Sequence, residues 1–158
     1  VTLSEAKAFM GLDDAVTVHD TKLTAGIVAA RKKVEQLCGR SLVARTFKLT
    51  LDEYTGTYID LPFPPITSIT SVKTYDSVGT ATTLTSGTDY NLVLNRLMLN
   101  ATGYPVEIIY TTTASSDEYF KLAIKKQMVY DYRNQFDENG FDQEVINMMS
   151  TVTLNLGY

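Results

Sequence analysis

The sequence holds one cysteine, one histidine and no tryptophan among its 158 residues. One cysteine excludes an internal disulfide and any zinc site built on paired cysteines. One histidine excludes a multi-histidine metal centre within a single chain. Glycine (9) and proline (4) are sparse. No G-x-G-x-x-G or Walker-type run occurs, and no G-x-S-x-G elbow, so both the phosphate-cradling loop and the strained nucleophile turn are missing. No apolar run approaches the span of a bilayer, and the first residues lack a basic stretch followed by an apolar one. The expectation is a soluble protein made in a reducing cytoplasm, with no membrane partner. Positive charge is also short: 14 Lys+Arg stand against 18 Asp+Glu, a net charge of −4. Wrapping duplex DNA needs clustered Lys and Arg, so an acidic chain is poorly suited to it.

What is present describes a folded chain. The hydrophobic fraction is 44% and the charged fraction 20%, which excludes a disordered or collagen-like chain. The length fits one compact domain, or a small domain carrying an insert. There are 22 threonines, most of them between Thr46 and Thr113. Their branched Cβ atoms favour a pleated surface. Composition therefore shifts twice along the chain.

Thr2 and Glu5 form a capping box that predicts a short helix to about Met10. Asp20 reads as the N-cap of a second helix, with Leu23, Ile27, Ala30, Val34 and Leu37 as one apolar stripe and Gly39 as its stop. Phe47, Leu49 and Leu51 then alternate with polar residues and predict a strand. Tyr58 to Leu61 reads as a short strand stopped by Pro62, Pro64 and Pro65. Ile66 to Tyr75 is a strand, and Asp76-Ser77-Val78-Gly79 a turn. Leu92 and Leu94 are expected to face Leu97 and Leu99 across an Asn95-Arg96 hairpin turn. Val106, Ile108 and Tyr110 mark a last strand. Ser115 with Glu118 reads as a second capping box, opening a helix to about Phe136. Beyond it no sustained period fixes the chain.

Few residues suit catalysis. Cys38 and His19 formally allow a thiol nucleophile. Cys38, beside Leu37 at a helix end, reads more simply as a small hydrophobe, and His19 as the residue before a helix cap. The acidic stretch Asp137-Glu138-Asn139-Gly140 fails as a calcium loop, because Gln135 and Ile146 would occupy its first and twelfth positions. The pairs Asp13-Asp14 and Asp52-Glu53 read as exposed loops. No catalytic, cofactor-binding or metal residue is assigned, and no cofactor is expected. Arg31, Lys32, Lys33 and Arg40 read as a solvated basic face, with contact to phosphate or to an acidic partner as the functional alternative.

Three stretches carry a family resemblance. They are Thr2-Leu3-Ser4-Glu5-Ala6-Lys7-Ala8-Phe9-Met10, leading into Leu12-Asp13; Cys38-Gly39-Arg40-Ser41-Leu42-Val43-Ala44-Arg45-Thr46-Phe47, followed by Leu49-Thr50-Leu51-Asp52; and the run from Ile59-Asp60-Leu61-Pro62-Phe63-Pro64-Pro65 to Tyr75-Asp76. Their order and spacing resemble the head–tail connector (adaptor, or head-completion) proteins of tailed bacteriophages, from Thr2 to about Gln135. The resemblance implies an α+β protein: a helical framework over 1–41 and 115–136, a β-rich domain inserted over 42–114, and a C-terminal tail over 137–158. It implies a structural virion protein and not an enzyme, assembled in the host cytoplasm. Such proteins form a ring, typically twelve-fold, beneath the portal protein. The ring extends the DNA channel and docks a stopper or tail-completion protein. A monomeric neck or tail binding module is the alternative. Connectors of this type often end in an apolar and basic segment. Here Val145, Ile146, Met148, Met149, Leu154 and Leu156 supply the apolar part and are the candidate partner-binding residues, but no Lys or Arg follows Arg133. With no sustained period and a terminal position, the segment 140–158 is expected to be flexible in the free protein and to order on a partner.

Overall fold

The computed structural model describes residues 1–52, 57–100, 105–115, 117–135 and 139–154, the last two of these by backbone only. The protein is α+β, and it divides into two compact units: residues 1–42 with 115–158, and residues 43–114.

The first unit is helical. Helix α1 (Leu3–Met10) starts at the capping box: Thr2 Oγ1 accepts from the Glu5 amide, and the Glu5 carboxylate accepts from the Thr2 amide. Gly11 closes it at φ +72°, a conformation that a Cβ would strain. Helix α2 (Asp20–Cys38) ends in the same way at Gly39. Its start differs from expectation. His19 occupies the cap position without a side-chain cap bond, and Asp20 is the first helical residue. The Asp20 carboxylate instead lies 2.6 Å from Lys7 Nζ. Lys7 is only 3% exposed, and a buried ammonium needs a counter-charge more than a helix end needs a cap.

Helix α3 (Glu118–Arg133) also starts later than the Ser115–Glu118 spacing predicts. Asp117 is the N-cap, accepting from the Tyr119 amide at 2.8 Å, while Ser115 Oγ accepts from the Asp117 amide. The helix stops at Asn134, short of Phe136, which lies outside the described residues. A fourth helix, α4 (Gln143–Leu154), stands where the sequence predicted a flexible tail. Asp142 caps it, its Oδ1 accepting from the amides of Glu144 and Val145. Helix α2 packs against the other three. Their shared core holds Ala30, Val34 and Cys38 from α2, Phe120, Ile124 and Met128 from α3, and Val145 and Met149 from α4.

The second unit is all β. Its strands are β1 (Thr46–Leu51), β2 (Tyr58–Asp60), β3 (Ile66–Tyr75), β4 (Ala81–Thr83), β5 (Tyr90–Val93), β6 (Arg96–Leu99) and β7 (Val106–Thr112). Two antiparallel sheets form, in the orders β1-β7-β3-β4 and β2-β6-β5. Both feed one core, with Ile59, Leu97 and Leu99 from the smaller sheet and Val72, Val106, Ile108 and Tyr110 from the larger. Strand β7 is central, which explains its nearly continuous burial. The Tyr110 hydroxyl donates to the Pro62 carbonyl at 2.9 Å, and burial pushes its pKa up to about 12. Strand β4 escaped the sequence reading because all three of its residues are exposed and leave no alternation.

The Asp76–Gly79 turn forms as expected, with Asp76 Oδ1 accepting from the amides of Val78 and Thr80 and Gly79 at φ +86°. The β5–β6 hairpin forms one residue earlier than expected. Leu92 faces Leu97, but Val93 faces Arg96, so the turn residues are Leu94 and Asn95. Their φ values of 49° and 67° are those of a type I′ turn, whose twist matches the flanking strands.

Candidate functional site

The C-terminal candidates separate by burial. Val145 and Met149 are 0% and 1% exposed and belong to the helical core, so with α4 docked neither presents a surface. Their i, i+4 spacing puts them on one face, which the core requires. Ile146 and Met148 are half-buried, and the Met148 carbonyl accepts from the Tyr119 hydroxyl. The side chain of Leu154, and all of Leu156, lie outside the described residues. The expectation of a segment that orders only on a partner is therefore corrected over Gln143–Leu154: α4 completes the core of its own unit.

The basic candidates do not form one surface. Lys32 is exposed, and Arg40 is half-buried. Arg31 Nε lies 4.0 Å from the Glu35 carboxylate, one turn along. Lys33 turns inward, against the reading of a solvated face. Its Nζ donates to Asp131 Oδ1 and to the Gly140 carbonyl, both at 2.8 Å. Gln127 Nε2 donates to the same two acceptors, at 2.8 and 3.1 Å, and Gln127 Oε1 accepts from the Asp142 amide. Gln127 and Asp131 are 0% and 1% exposed. The second carboxylate oxygen, Asp131 Oδ2, is buried without a hydrogen-bond partner among the described residues. This network stitches the turn before α4 to α2 and α3. The signal was available: Lys33 is three residues after Ala30, and Asp131 three after Met128, so each lies beside its helix's apolar stripe.

Several other titratable groups are committed to structure. Cys38 is 3% exposed, and burial pushes its thiol pKa up, the opposite of an activated nucleophile. The His19 ring meets Tyr132 edge-on at 6.3 Å. Asp13 Oδ1 accepts from the Ala15 amide, and Asp14 Oδ2 from Ser4 Oγ. Glu53 and the acidic residues 137–138 lie outside the described residues. Glu107 accepts from Lys48 and Tyr75 across the larger sheet. The Lys48 hydrogen bond is the main cause that lowers the Glu107 pKa and raises that of Lys48. Among the described residues no group of three or more His, Cys, Asp or Glu is placed to hold a metal, and no helix is long and apolar enough to cross a membrane.

One surface escaped the sequence reading altogether. Leu92, Val93 and Leu94 are 36%, 43% and 89% exposed at the β5–β6 hairpin, and Tyr58, on β2, is 51% exposed. Three consecutive apolar residues running into a turn were the signal. Assigning Leu94 to a strand hid it.

No family model matches the chain, and no curated protein matches it. Solved structures do. A chain from the neck of an empty gene transfer agent (GTA) particle, computed with C6 symmetry, superposes with a TM-score of 0.78 at 21% identity, over 96% of this chain and 88% of that one. A chain from the virion of the native GTA particle gives 0.75 at 21%, over 96% and 88%. A chain from the neck of the native GTA particle, computed with C12 symmetry, gives 0.71 at 23%, over 95% and 86%. The chain thus has the fold of chains found in GTA particles, and the α+β fold class implied by the connector resemblance is upheld.

Proposed function

We propose that this protein is a structural neck component of a tailed, phage-like particle, a head–tail connector that sits at the head–tail interface of the virion. The observation that carries the reading is the superposition with a GTA neck chain over 96% of this chain, which takes in both units. The connector motifs of the sequence point the same way. In this reading copies of the chain form a twelve-fold ring beneath the portal protein and dock a stopper or tail-completion protein on the far side. The C12 symmetry of one related neck supports that copy number. The role needs no catalytic residue and no cofactor. The candidate nucleophile Cys38 is buried with its thiol pKa raised, which suits a structural role. A net charge of −4 suits a conduit, because an acidic wall holds passing phosphates weakly.

The test is electron microscopy of the protein mixed with the portal ring from the same genome. A collar of extra density with the portal's symmetry supports the connector, and its repeat gives the copy number. A bare portal, at concentrations where the chain is folded, counts against it. The C6 symmetry of the other related neck favours one alternative, a binding module at a different symmetry. Six repeats in the collar, or isolated copies, would select that reading.

A further inference from the structure

We propose that the tip of the β5–β6 hairpin, with Leu94 at its apex, is a contact surface between neighbouring copies of this chain; the inference rests on the ring reading above. It starts from a residue choice that serves the isolated chain badly. Both central positions of a type I′ turn need positive φ, where Asn, Asp or Gly fit without strain. Leu94 holds φ 49° there and is 89% exposed, so it gains neither backbone comfort nor burial. A single exposed leucine is ordinary. An exposed leucine at a strained apex, continuous with Leu92 and Val93, is a feature that a contact would compensate.

The apex is also held rigid. Asn95 Oδ1 accepts from the Ile66 amide at 2.8 Å, and the Asn95 carbonyl accepts from the Leu61 amide. Beside the turn, Arg96 Nε on β6 donates to Asp60 Oδ1 on the neighbouring strand β2 at 2.6 Å. The second turn residue is thus tied into the sheet, and the first projects from a fixed frame. A preorganised apolar projection loses little freedom on contact.

Charge selects the occupant. From Leu92 to Asn95 the tip carries no charged residue, and the cation next in sequence, Arg96, is paired with Asp60. The four tip residues therefore offer phosphate no cation of their own. Copies with a net charge of −4 repel one another, so they meet best where charge has been removed from the surface. A cyclic array needs two different patches on each copy, because its contacts are heterologous. The loop before α2 offers a second one, exposing Val16 and Val18 at 43% and 80%.

Two variants test this in the collar assay. Leu94→Asn puts a residue suited to positive φ at the apex, so the thermal midpoint should stay level or rise. Collar formation on the portal should weaken about tenfold or more, the effect of losing one buried leucine at each contact. Leu94→Cys, labelled with a benzophenone maleimide and irradiated on the portal, should give a ladder at multiples of the chain mass of 17.5 kDa. Cys38 is buried and does not compete for the label. A wild-type collar with an equally good Leu94→Asn collar would overturn the inference and leave the connector reading standing. So would cross-links to the portal alone, or binding of the wild-type tip to phosphatidylcholine vesicles that Leu94→Asn abolishes. No collar with wild-type protein would overturn both.

Discussion

Replacing Lys33 with methionine removes a cation buried between α2 and α3. The lysine donates to Asp131 Oδ1 and to the Gly140 carbonyl. In the variant Gly140 keeps its bond from Gln127 Nε2 at 3.1 Å, so the carbonyl loses little. Asp131 fares worse. Among the described residues its Oδ2 already lacks a hydrogen-bond partner, and Gln127 Nε2 would remain as the donor to a carboxylate that is 1% exposed. Removing one partner of a buried ion pair costs about 3–5 kcal/mol, because the other charge is left uncompensated. That is a large share of the ~5–15 kcal/mol that holds a typical domain. Urea unfolding followed by far-ultraviolet circular dichroism measures it. The double variant Lys33→Met/Asp131→Leu removes both charges and should recover to within about 1–2 kcal/mol of the parent, since apolar replacement of a buried pair is often near neutral. A Lys33→Met loss below about 1 kcal/mol, the range of surface ion pairs, would refute the reasoning.

The same structure fixes the outcome of further perturbations. Met149→Ala should cost about 2–4 kcal/mol in the same assay, and deletion of 141–158 should unfold the helical unit rather than simply weaken docking, which thermal melting of both variants checks. Hydrogen bonds, from the Thr80 and Val78 amides to Asp76 and from Lys48 to Glu107, lower both carboxyl pKa values. Their contribution is complete above the ordinary carboxyl range near pH 4 and is lost as pH falls through the lowered values, so Asp76→Asn should flatten the acid limb of a melting-temperature profile. The raised Lys48 pKa has the opposite sign: its share is present below the ordinary value of 10.5 and is lost as pH climbs past the raised one. Cys38 should react with a thiol reagent only after unfolding, which a timed absorbance assay reads directly.

Elements with a strong local pattern were legible in the sequence. The stripe of α2, the alternation of β1 and β7 and the Thr2–Glu5 capping box each follow from residues that answer to their neighbours in the chain. What escaped was decided by distant partners. Asp20 serves Lys7 instead of capping α2, and Lys33 belongs to Asp131, 98 positions away. Among its described side chains helix α4 has Val145 and Met149 as fully buried anchors, set among polar Gln143, Glu144 and Asn147, so its period is short and weak. The hairpin slipped by one residue because a leucine occupies a turn position that Asn or Gly usually fills. The connector resemblance rested on motif order, and the superposition with neck chains supports its fold.

The neck of the particle encoded by the same genome is where the central claim meets its most direct test. A focused cryo-electron-microscopy reconstruction, made without imposed symmetry, should contain this chain as repeated copies around the DNA channel, with both units recognisable and twelve copies expected. Absence of the chain from that density, in particles that mass spectrometry shows to be complete, would contradict the account.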